Sequence, residues 1–191
     1  MLSDLITSRV RVKILTLLLS DPDKMYHVRG IVRQTKEEIN AVRRELQQME
    51  KRGLVTKEPR ANRLYYVFRK TYPLYFELLE LVSKTSGLGG DILKNRAKLG
   101  KVKFVMLSGN IVRGLPRNTN SVDLLVVGTV VLPELAQIIR SEETKRGREI
   151  NYTVMTEEEF NFRKKRRDPF ILTVLQGPRV MFIGDEAELV A

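Results

Sequence analysis

The sequence predicts an α+β protein of two domains, and three observations support this prediction. The first 82 residues read as helices followed by two short strands, whereas residues 102–191 alternate strands with helices. Ser and Gly are concentrated between these regions, at 83–90. The charge is also uneven, because Lys and Arg outnumber Asp and Glu by 16 to 10 in residues 1–82, 5 to 1 in 83–101 and 13 to 12 in 102–191. A basic excess of this kind favours a polyanionic partner, with a solvated basic surface kept for solubility as the alternative.

Two helices are predicted before residue 36. The segment Ser8–Ser20 is dense in Val, Ile and Leu, which is typical of a mostly buried helix of about three turns. Asp21-Pro22-Asp23 ends it. A shorter helix of about two turns follows, with one apolar face made by Val28, Ile31 and Val32.

A third helix, predicted from roughly Lys36 to Arg52, has one apolar and one polar face. Its apolar residues recur at spacings of three and four: Ile39, Val42, Leu46 and Met49. The opposite face carries side chains suited to phosphates and base edges: Lys36, Glu37, Asn40, Arg43, Arg44 and Gln47. Thr35 and Glu38 have the spacing of a capping box at its start, and Gly53 is placed to cap its C-terminus.

Two strands joined by a basic turn are predicted after the third helix. They are Leu54–Glu58 and Leu64–Phe68, with the turn at Pro59–Arg63. In a winged helix-turn-helix, the second helix of the pair enters the major groove of DNA while the hairpin, or wing, holds the flanking backbone. The sequence therefore predicts that residues 1–82 form such a domain. The expected contacts to double-stranded DNA are Lys36, Asn40, Arg43, Arg44, Gln47, Arg60 and Arg63.

The segments Ala41–Val55 and Asn62–Tyr66 resemble the arsenic-repressor-type winged-helix family, and the resemblance covers residues 5–82. It implies DNA binding by a homodimer, often formed through flanking helices. Apolar residues of the helix after Pro73 are therefore candidates for an interface, with packing on their own domain as the alternative: Leu74, Phe76, Leu78, Leu79, Leu81 and Val82. Metal sensing through cysteines is excluded because the chain has no Cys and only His27, which we interpret as a packed or solvated side chain.

The segment Ser83–Gly90 predicts a linker, and Asp91–Leu99 predicts a short basic helix, so 83–101 is expected to connect the two domains. A small α/β domain is predicted over 102–191. Its expected strands are Val102–Leu107, Val122–Val127, Ile150–Met155 and Val180–Ile183, and its expected helices run from Pro133 to about Lys145 and from about Glu157.

The segments Lys103–Gly114 and Asn118–Val126 resemble the minimal nucleotidyltransferase family. That family's signature is a strand, Gly-Ser, a helix with Arg-Gly, and then Asp-x-Asp on the next strand. The resemblance implies a mixed sheet and a site at which carboxylates hold Mg²⁺ ions that carry nucleotide phosphates.

The match to that signature is incomplete. Gly109, Arg113 and Gly114 agree with it, whereas Asn110 replaces Ser, Ser121 replaces the first Asp, and Asn151 falls at the expected third carboxylate. Asp123 alone remains of the pair. We therefore expect no catalytic residues, no metal and no cofactor. Two readings remain open, a remnant of an ancestral enzyme or a retained pocket for a nucleotide or small anion built from Gly109, Asn110, Arg113 and Asp123.

The leading hypothesis from sequence is a dimeric, sequence-specific transcriptional regulator whose second domain is an inactive nucleotidyltransferase-like sensor or assembly domain. The alternatives are an antitoxin-like nucleotidyltransferase that modifies a partner protein, and a winged helix that binds protein. The basic run Arg163–Arg167 is expected at a solvated helix end, or against DNA or an acidic partner. A cytoplasmic location without membrane contact is expected, because there is no long apolar run, no secretory pattern at the N-terminus and no Cys.

Overall fold

A computed structural model of the chain describes residues 2–113, 115 and 122–191. The fold mixes helices and strands and divides into two compact units, 1–85 and 86–191. This confirms the α+β class. No helix within the described residues is long and apolar enough to cross a lipid bilayer. Each unit is described by itself below.

The first unit is built from helices and a small antiparallel sheet. Its elements are α1 (Leu2–Leu5), α2 (Arg9–Ser20), β1 (Tyr26–His27), α3 (Val28–Thr35), α4 (Ile39–Lys51), β2 (Val55–Arg60), β3 (Arg63–Phe68) and α5 (Tyr75–Thr85). The strand order is β1-β3-β2. The helices and the hairpin predicted over 8–68 are thus present, with ends that differ from the predicted ones by up to three residues.

The core of this unit is made by the apolar faces that the helical spacing predicts. Buried side chains come from each of the larger helices and from the hairpin: Ile14, Leu15, Leu18, Leu19, Ile31, Val42, Leu46, Met49, Val55, Phe68, Leu79 and Val82. Burying such residues together is the main source of stability in a domain of this size. The outward faces of α3, α4 and the hairpin are left for other contacts.

Capping interactions account for the ends of α2 and α4. Ser8 accepts a hydrogen bond from the Arg11 amide in front of α2. The predicted capping box of Thr35 and Glu38 is wrong, because Thr35 still belongs to α3 and its hydroxyl donates to the Ile31 carbonyl at 2.8 Å. Glu38 is itself the N-cap of α4. At the other end, Gly53 adopts a φ of 77°, as expected for the glycine that follows a helix C-cap.

The apolar residues after Pro73, predicted either to form an interface or to pack on their own domain, are divided between the core and the surface. Leu79 and Val82 are buried within the first unit, where α5 packs on α2. Leu74 and Phe76 are each 53% exposed. The two interpretations of this segment therefore apply to different residues, since some of them pack on their own domain and others face outward.

The second unit contains a four-stranded sheet covered by helices. Its elements are α6 (Gly87–Lys94), a 3-10 turn (Arg96–Lys98), β4 (Gly100–Ser108), α7 (Gly109–Val112), β5 (Leu124–Val130), α8 (Leu132–Arg146), β6 (Tyr152–Met155), α9 (Glu157–Lys165), α10 (Pro169–Gln176), β7 (Arg179–Ile183) and α11 (Glu186–Val190). The strand order is β6-β5-β4-β7, with β5 and β6 parallel and the other pairs antiparallel. The sheet is mixed, as expected.

The central strands β4 and β5 are buried on both faces because successive side chains point to opposite sides. One core contains Val105, Leu107, Leu124 and Val126 together with residues of α6 and α8. The other core contains Phe104, Met106, Leu125 and Val127 together with residues of α9, α10 and α11. This arrangement accounts for the nearly continuous apolar runs of both strands.

The segment 83–101 differs from the predicted linker. Helix α5 continues to Thr85, and α6 begins at Gly87 and packs on α8 and β7. Leu88, Gly89 and Gly90 are buried. The Ser and Gly content that favours a flexible linker instead supplies small residues to a packed helix, so that the boundary lies at 85/86 and the residues after it belong to the second unit.

Candidate nucleic-acid interface

The outward face of α4 presents four of the residues predicted to contact DNA. Asn40, Arg43, Arg44 and Gln47 are separated by three, one and three residues, so they form one stripe along the helix, and all four are exposed. The opposite side of α4 is held in the core by Val42, Leu46 and Met49. The helix is therefore fixed by its apolar side while its polar stripe stays accessible.

The carboxylates of this region are engaged in contacts within the first unit. Glu45 accepts hydrogen bonds from Ser8 Oγ at 2.6 Å and Arg11 Nε at 2.9 Å, which connects α4 to the start of α2. Glu38 accepts from the amides of Asn40 and Ala41 at the start of α4. Glu50 pairs with Lys57 of the hairpin at 2.9 Å.

Glu37 does not belong to the exposed polar face on which the sequence places it. It was expected to be exposed beside Lys36, but its side chain is only 8% exposed. Lys13 Nζ lies 2.6 Å from Glu37 Oε1, and Arg9 Nε lies 3.0 Å from the same oxygen. Hydrogen bonds from Lys13 and then Arg9 lower the pKa of Glu37 below its ordinary value of 4.5. Sequence spacing assigns a residue to a face only inside a helix, and Glu37 lies in the turn before α4.

Several basic residues of the first unit have no carboxylate partner within the part of the chain that the structure describes. Six of them, all exposed, lie in α3, the turn before α4, the polar stripe of α4 and the hairpin tip, and we call these six the unpaired cations: Arg29, Arg33, Lys36, Arg43, Arg44 and Arg63. Lys24, Lys51, Arg52 and Arg69 also have no carboxylate partner among the described residues. Arg29 and Arg33 of α3 were missed by the sequence analysis. Their spacing of four residues on the polar side of a short helix was the available indication.

The hairpin brings Arg60 and Arg63 face to face at its tip, across the two-residue turn Ala61-Asn62. Arg60 Nε lies 2.9 Å from Glu58 Oε1, and its guanidinium lies 5.8 Å from the Tyr65 ring centroid. The hydrogen bond from Arg60 lowers the pKa of Glu58, so this carboxylate is charged at neutral pH. The two arginines, predicted as equivalent, therefore differ in their contacts.

The aromatic residues of the hairpin lie in β3 and make contacts within the first unit. Tyr66 and Phe68 are 5% and 2% exposed. Tyr65 makes an edge contact with His27 at 5.6 Å between ring centroids. His27 has a definite role, because its Nδ1 accepts the Gly30 amide at 3.0 Å and caps α3.

In the second unit, the backbone amides of Gly109 and Asn110, two residues of the possible anion pocket, donate to acceptors within the protein. The Gly109 amide donates to the Pro178 carbonyl at 2.6 Å. The Asn110 amide faces Ser108 Oγ at 3.4 Å. Arg113 follows as the C-cap of the four-residue α7 and donates its amide to the Gly109 carbonyl. An anion bound at these amides would have to replace these hydrogen bonds.

Asp123 joins three strand ends. It is 2% exposed, and its Oδ2 accepts the Asn151 amide at 2.9 Å, so the structure does bring the second and third expected carboxylate positions together. Its own carbonyl accepts the Ser108 amide at 2.8 Å. Ser121 and Gly114 lie outside the described residues. Within the described ranges, no group of three or more His, Cys, Asp or Glu is arranged to hold a metal ion.

The basic run Arg163–Arg167 lies at the end of α9 and in the turn after it, and three of its residues are engaged locally. Arg163 contacts Glu159 at 2.8 Å. Lys164 Nζ donates to the Leu189 carbonyl at 2.7 Å. The Arg166 guanidinium lies 4.7 Å from the Phe162 ring centroid. These contacts favour the solvated helix end among the three interpretations.

In comparisons with known proteins, no family model, no curated protein and no solved structure matched the chain. The two resemblances in the sequence analysis therefore remain expectations.

Proposed function

We propose that residues 1–85 form a winged helix-turn-helix that binds double-stranded DNA, with α4 in the major groove and the β2–β3 hairpin as the wing. The protein then acts as a sequence-specific transcriptional regulator. In this proposal Asn40, Arg43, Arg44 and Gln47 contact base edges and phosphates, and Arg63 contacts the flanking backbone. In the same proposal, the protein binds as a homodimer to two half-sites of the DNA.

The observation that carries this proposal is the separation of charges around α3 and α4. The carboxylates Glu37, Glu45 and Glu50 bind basic groups of the first unit itself. The unpaired cations face outward without such neutralisation. A helix kept only for solubility has no requirement for this separation, whereas an exposed cationic stripe gains free energy from releasing the counterions of DNA.

Selection of bound duplexes from a random pool, followed by anisotropy titrations at several salt concentrations, tests the proposal. A palindromic consensus is expected, because half-site symmetry reflects dimer symmetry. Arg43→Ala with Arg44→Ala should weaken binding and reduce the slope of log K against log salt by about 1 to 2, since each phosphate contact contributes about 0.9.

The matched control is Lys84→Ala. Lys84 is a partly exposed lysine of α5 that pairs with Glu80, so its removal changes the net charge by one without altering α3, α4 or the wing. The affinity of Lys84→Ala for the duplex, and its slope of log K against log salt, should remain close to those of the unaltered protein. An unchanged slope in the double arginine variant, or failure to bind any duplex at low salt, would overturn the proposal and favour a protein-binding winged helix.

For residues 86–191 we propose a nucleotidyltransferase-like fold that serves in sensing or assembly. The proposal is supported by the mixed sheet and by the proximity of Asp123 and Asn151, the positions at which the resemblance expects carboxylates. Incubation with labelled ATP and Mg²⁺ tests it. Transfer of label to the chain or to a partner protein would instead establish the antitoxin-like enzyme.

A further inference from the structure

The second unit contains a cavity of about 670 Å³ at the end of β4. Its walls are mainly apolar and include Met106 of the sheet, Phe170 and Val174 of α10, and Pro178 before β7. Volumes of 300–1,000 Å³ with predominantly apolar walls are typical of sites for small molecules. The DNA-binding proposal does not account for this space, which shares Asn110 with the predicted anion pocket.

The polar side chains among the described residues that line the cavity are all uncharged. Ser108, Asn110 and Thr173 line it, and no Lys, Arg, Asp or Glu belongs to its lining within the described residues. The Ser108 oxygen accepts the Asn110 amide, and the Thr173 hydroxyl donates to the Pro169 carbonyl at 2.8 Å. The Ser108 hydroxyl proton and the Asn110 carboxamide supply the directional hydrogen bonds at one end of the cavity.

The cavity is held by contacts that do not involve a ligand. Gly109 permits close approach of α7 to Pro178, because a Cβ built at Gly109 would lie 2.7 Å from the Pro178 Cβ. The Arg179 guanidinium donates to the carbonyls of Leu175 and Gly177 and so secures the end of α10. The walls formed by α10 and by the segment before β7 are therefore in place before binding.

From this geometry we propose that the cavity binds an uncharged, mainly apolar small molecule that carries a hydrogen-bonding group facing Ser108 and Asn110. A charged ligand would lose hydration against these mainly apolar walls without gaining an ionic partner from the described residues that line the cavity. The ligand class thus differs from the nucleotide or small anion that the sequence analysis considered. The site is independent of the DNA-binding proposal and can be tested without DNA.

The first test uses N-phenylnaphthylamine, a neutral apolar fluorophore, with the full-length protein carrying ¹³C-labelled methionine methyl groups. Saturable binding is expected to shift the Met106 methyl resonance, which reports from the lining. The methyl groups of Met25 and Met49, in the first unit, should not shift. Absence of saturable binding, or shifts confined to methionines other than Met106, would overturn the proposal.

The second test compares Thr173→Trp with Thr144→Trp. Thr144 is the matched control, because it is also an exposed helical threonine whose hydroxyl donates to the carbonyl four residues earlier, at 2.9 Å, but it does not line the cavity. Thr173→Trp should weaken probe binding about tenfold or more, equivalent to about 1.4 kcal/mol, and Thr144→Trp should not. Equal effects would overturn the assignment.

The third test addresses the charge of the ligand. ATP and inorganic phosphate, added separately at millimolar concentration, should leave probe binding unchanged. Displacement of the probe by ATP but not by phosphate would show that the cavity accepts a nucleotide, and displacement by both would show an anion site. Either result would overturn the assignment to uncharged ligands.

Discussion

Lys13 Nζ lies 2.6 Å from Glu37 Oε1 and donates as well to the Thr35 carbonyl at 2.9 Å. One side chain of α2 therefore binds both the last residue of α3 and the turn that leads into α4. The turn itself places Lys36 at a φ of 54°, a conformation that non-glycine residues seldom adopt. We infer that this contact fixes the angle between α3 and α4.

Glu37→Gln should lower the stability of the first unit at neutral pH. The pKa of Glu37 is lowered in the folded state by Lys13 and then Arg9, so its ionisation stabilises the fold above the ordinary value of 4.5. That contribution is lost as the pH falls through the lowered pKa. Thermal unfolding of both proteins should therefore show a difference in melting temperature at pH 7 that narrows below about pH 4.5.

Glu80→Gln provides the control for that measurement. Glu80 pairs with Lys84 at 2.7 Å, but both side chains are substantially exposed, and such pairs contribute little to stability. Its melting temperature should follow that of the unaltered protein over the whole pH range. A Glu37→Gln variant with the same behaviour would show that the Lys13 contact does not stabilise the turn.

The helix faces of the first unit were predictable from sequence because the period of the apolar residues fixes which side of a helix is buried. Val42, Leu46 and Met49 illustrate this, and so do the exposed Arg43 and Arg44. Strand positions in the second unit were predictable for a related reason, since apolar runs long enough for one strand leave few alternatives.

Charge pairing was not predictable in the same way, because it joins residues distant in sequence. Glu37 and Lys13 are 24 residues apart, and Glu45 and Arg11 are 34 apart. The glycine-rich segment 83–90 was misassigned for a different reason, since composition alone does not distinguish a flexible linker from a helix that needs small residues to pack. Both differences arise from tertiary contacts.

His27 should contribute to stability as the N-cap of α3. Its Nδ1 accepts the Gly30 amide, one of the amides that would otherwise lack a partner at the helix start. His27→Ala should destabilise the protein by about 1 kcal/mol in urea unfolding, a typical cost of losing an N-cap. His27→Asn should retain more of that stability.

The comparison between these two variants isolates the cap. Both remove the ring that contacts Tyr65, and only Asn keeps a side-chain acceptor at the helix start. Equal losses in the two variants would assign the effect to the Tyr65 contact instead.

Gly109→Ala should destabilise the second unit by about 1 to 3 kcal/mol, the usual range for overpacking. The added methyl would lie 2.7 Å from the Pro178 Cβ and 2.9 Å from the carbonyl carbon and oxygen of Pro178. The carbonyl carbon and oxygen are backbone atoms and cannot easily move away. Gly30→Ala is the control, because its methyl would lie 3.6 Å from the nearest atoms, in the His27 ring. Gly30→Ala should be neutral or stabilising, since alanine favours helices. Equal losses in chemical unfolding would contradict this account.

Within the DNA-binding proposal, the two wing arginines should make unequal contributions. Arg60 donates to Glu58 at 2.9 and 3.3 Å, whereas Arg63 belongs to the unpaired cations. Arg63→Ala should therefore weaken duplex binding more than Arg60→Ala does. Anisotropy titrations against the selected consensus at low salt provide the measurement, with Lys84→Ala as the reference.

Glu58→Gln should strengthen DNA binding. The change deletes a negative charge beside the wing tip and releases Arg60 for a phosphate. If Arg60 then gains one phosphate contact, the salt slope should steepen by about 0.9. Glu58→Gln combined with Arg60→Ala tests whether Arg60 causes the steeper salt slope, because the gain in slope should disappear when this arginine is absent. Weaker binding by Glu58→Gln alone would mean that the Glu58–Arg60 pair shapes the wing for DNA.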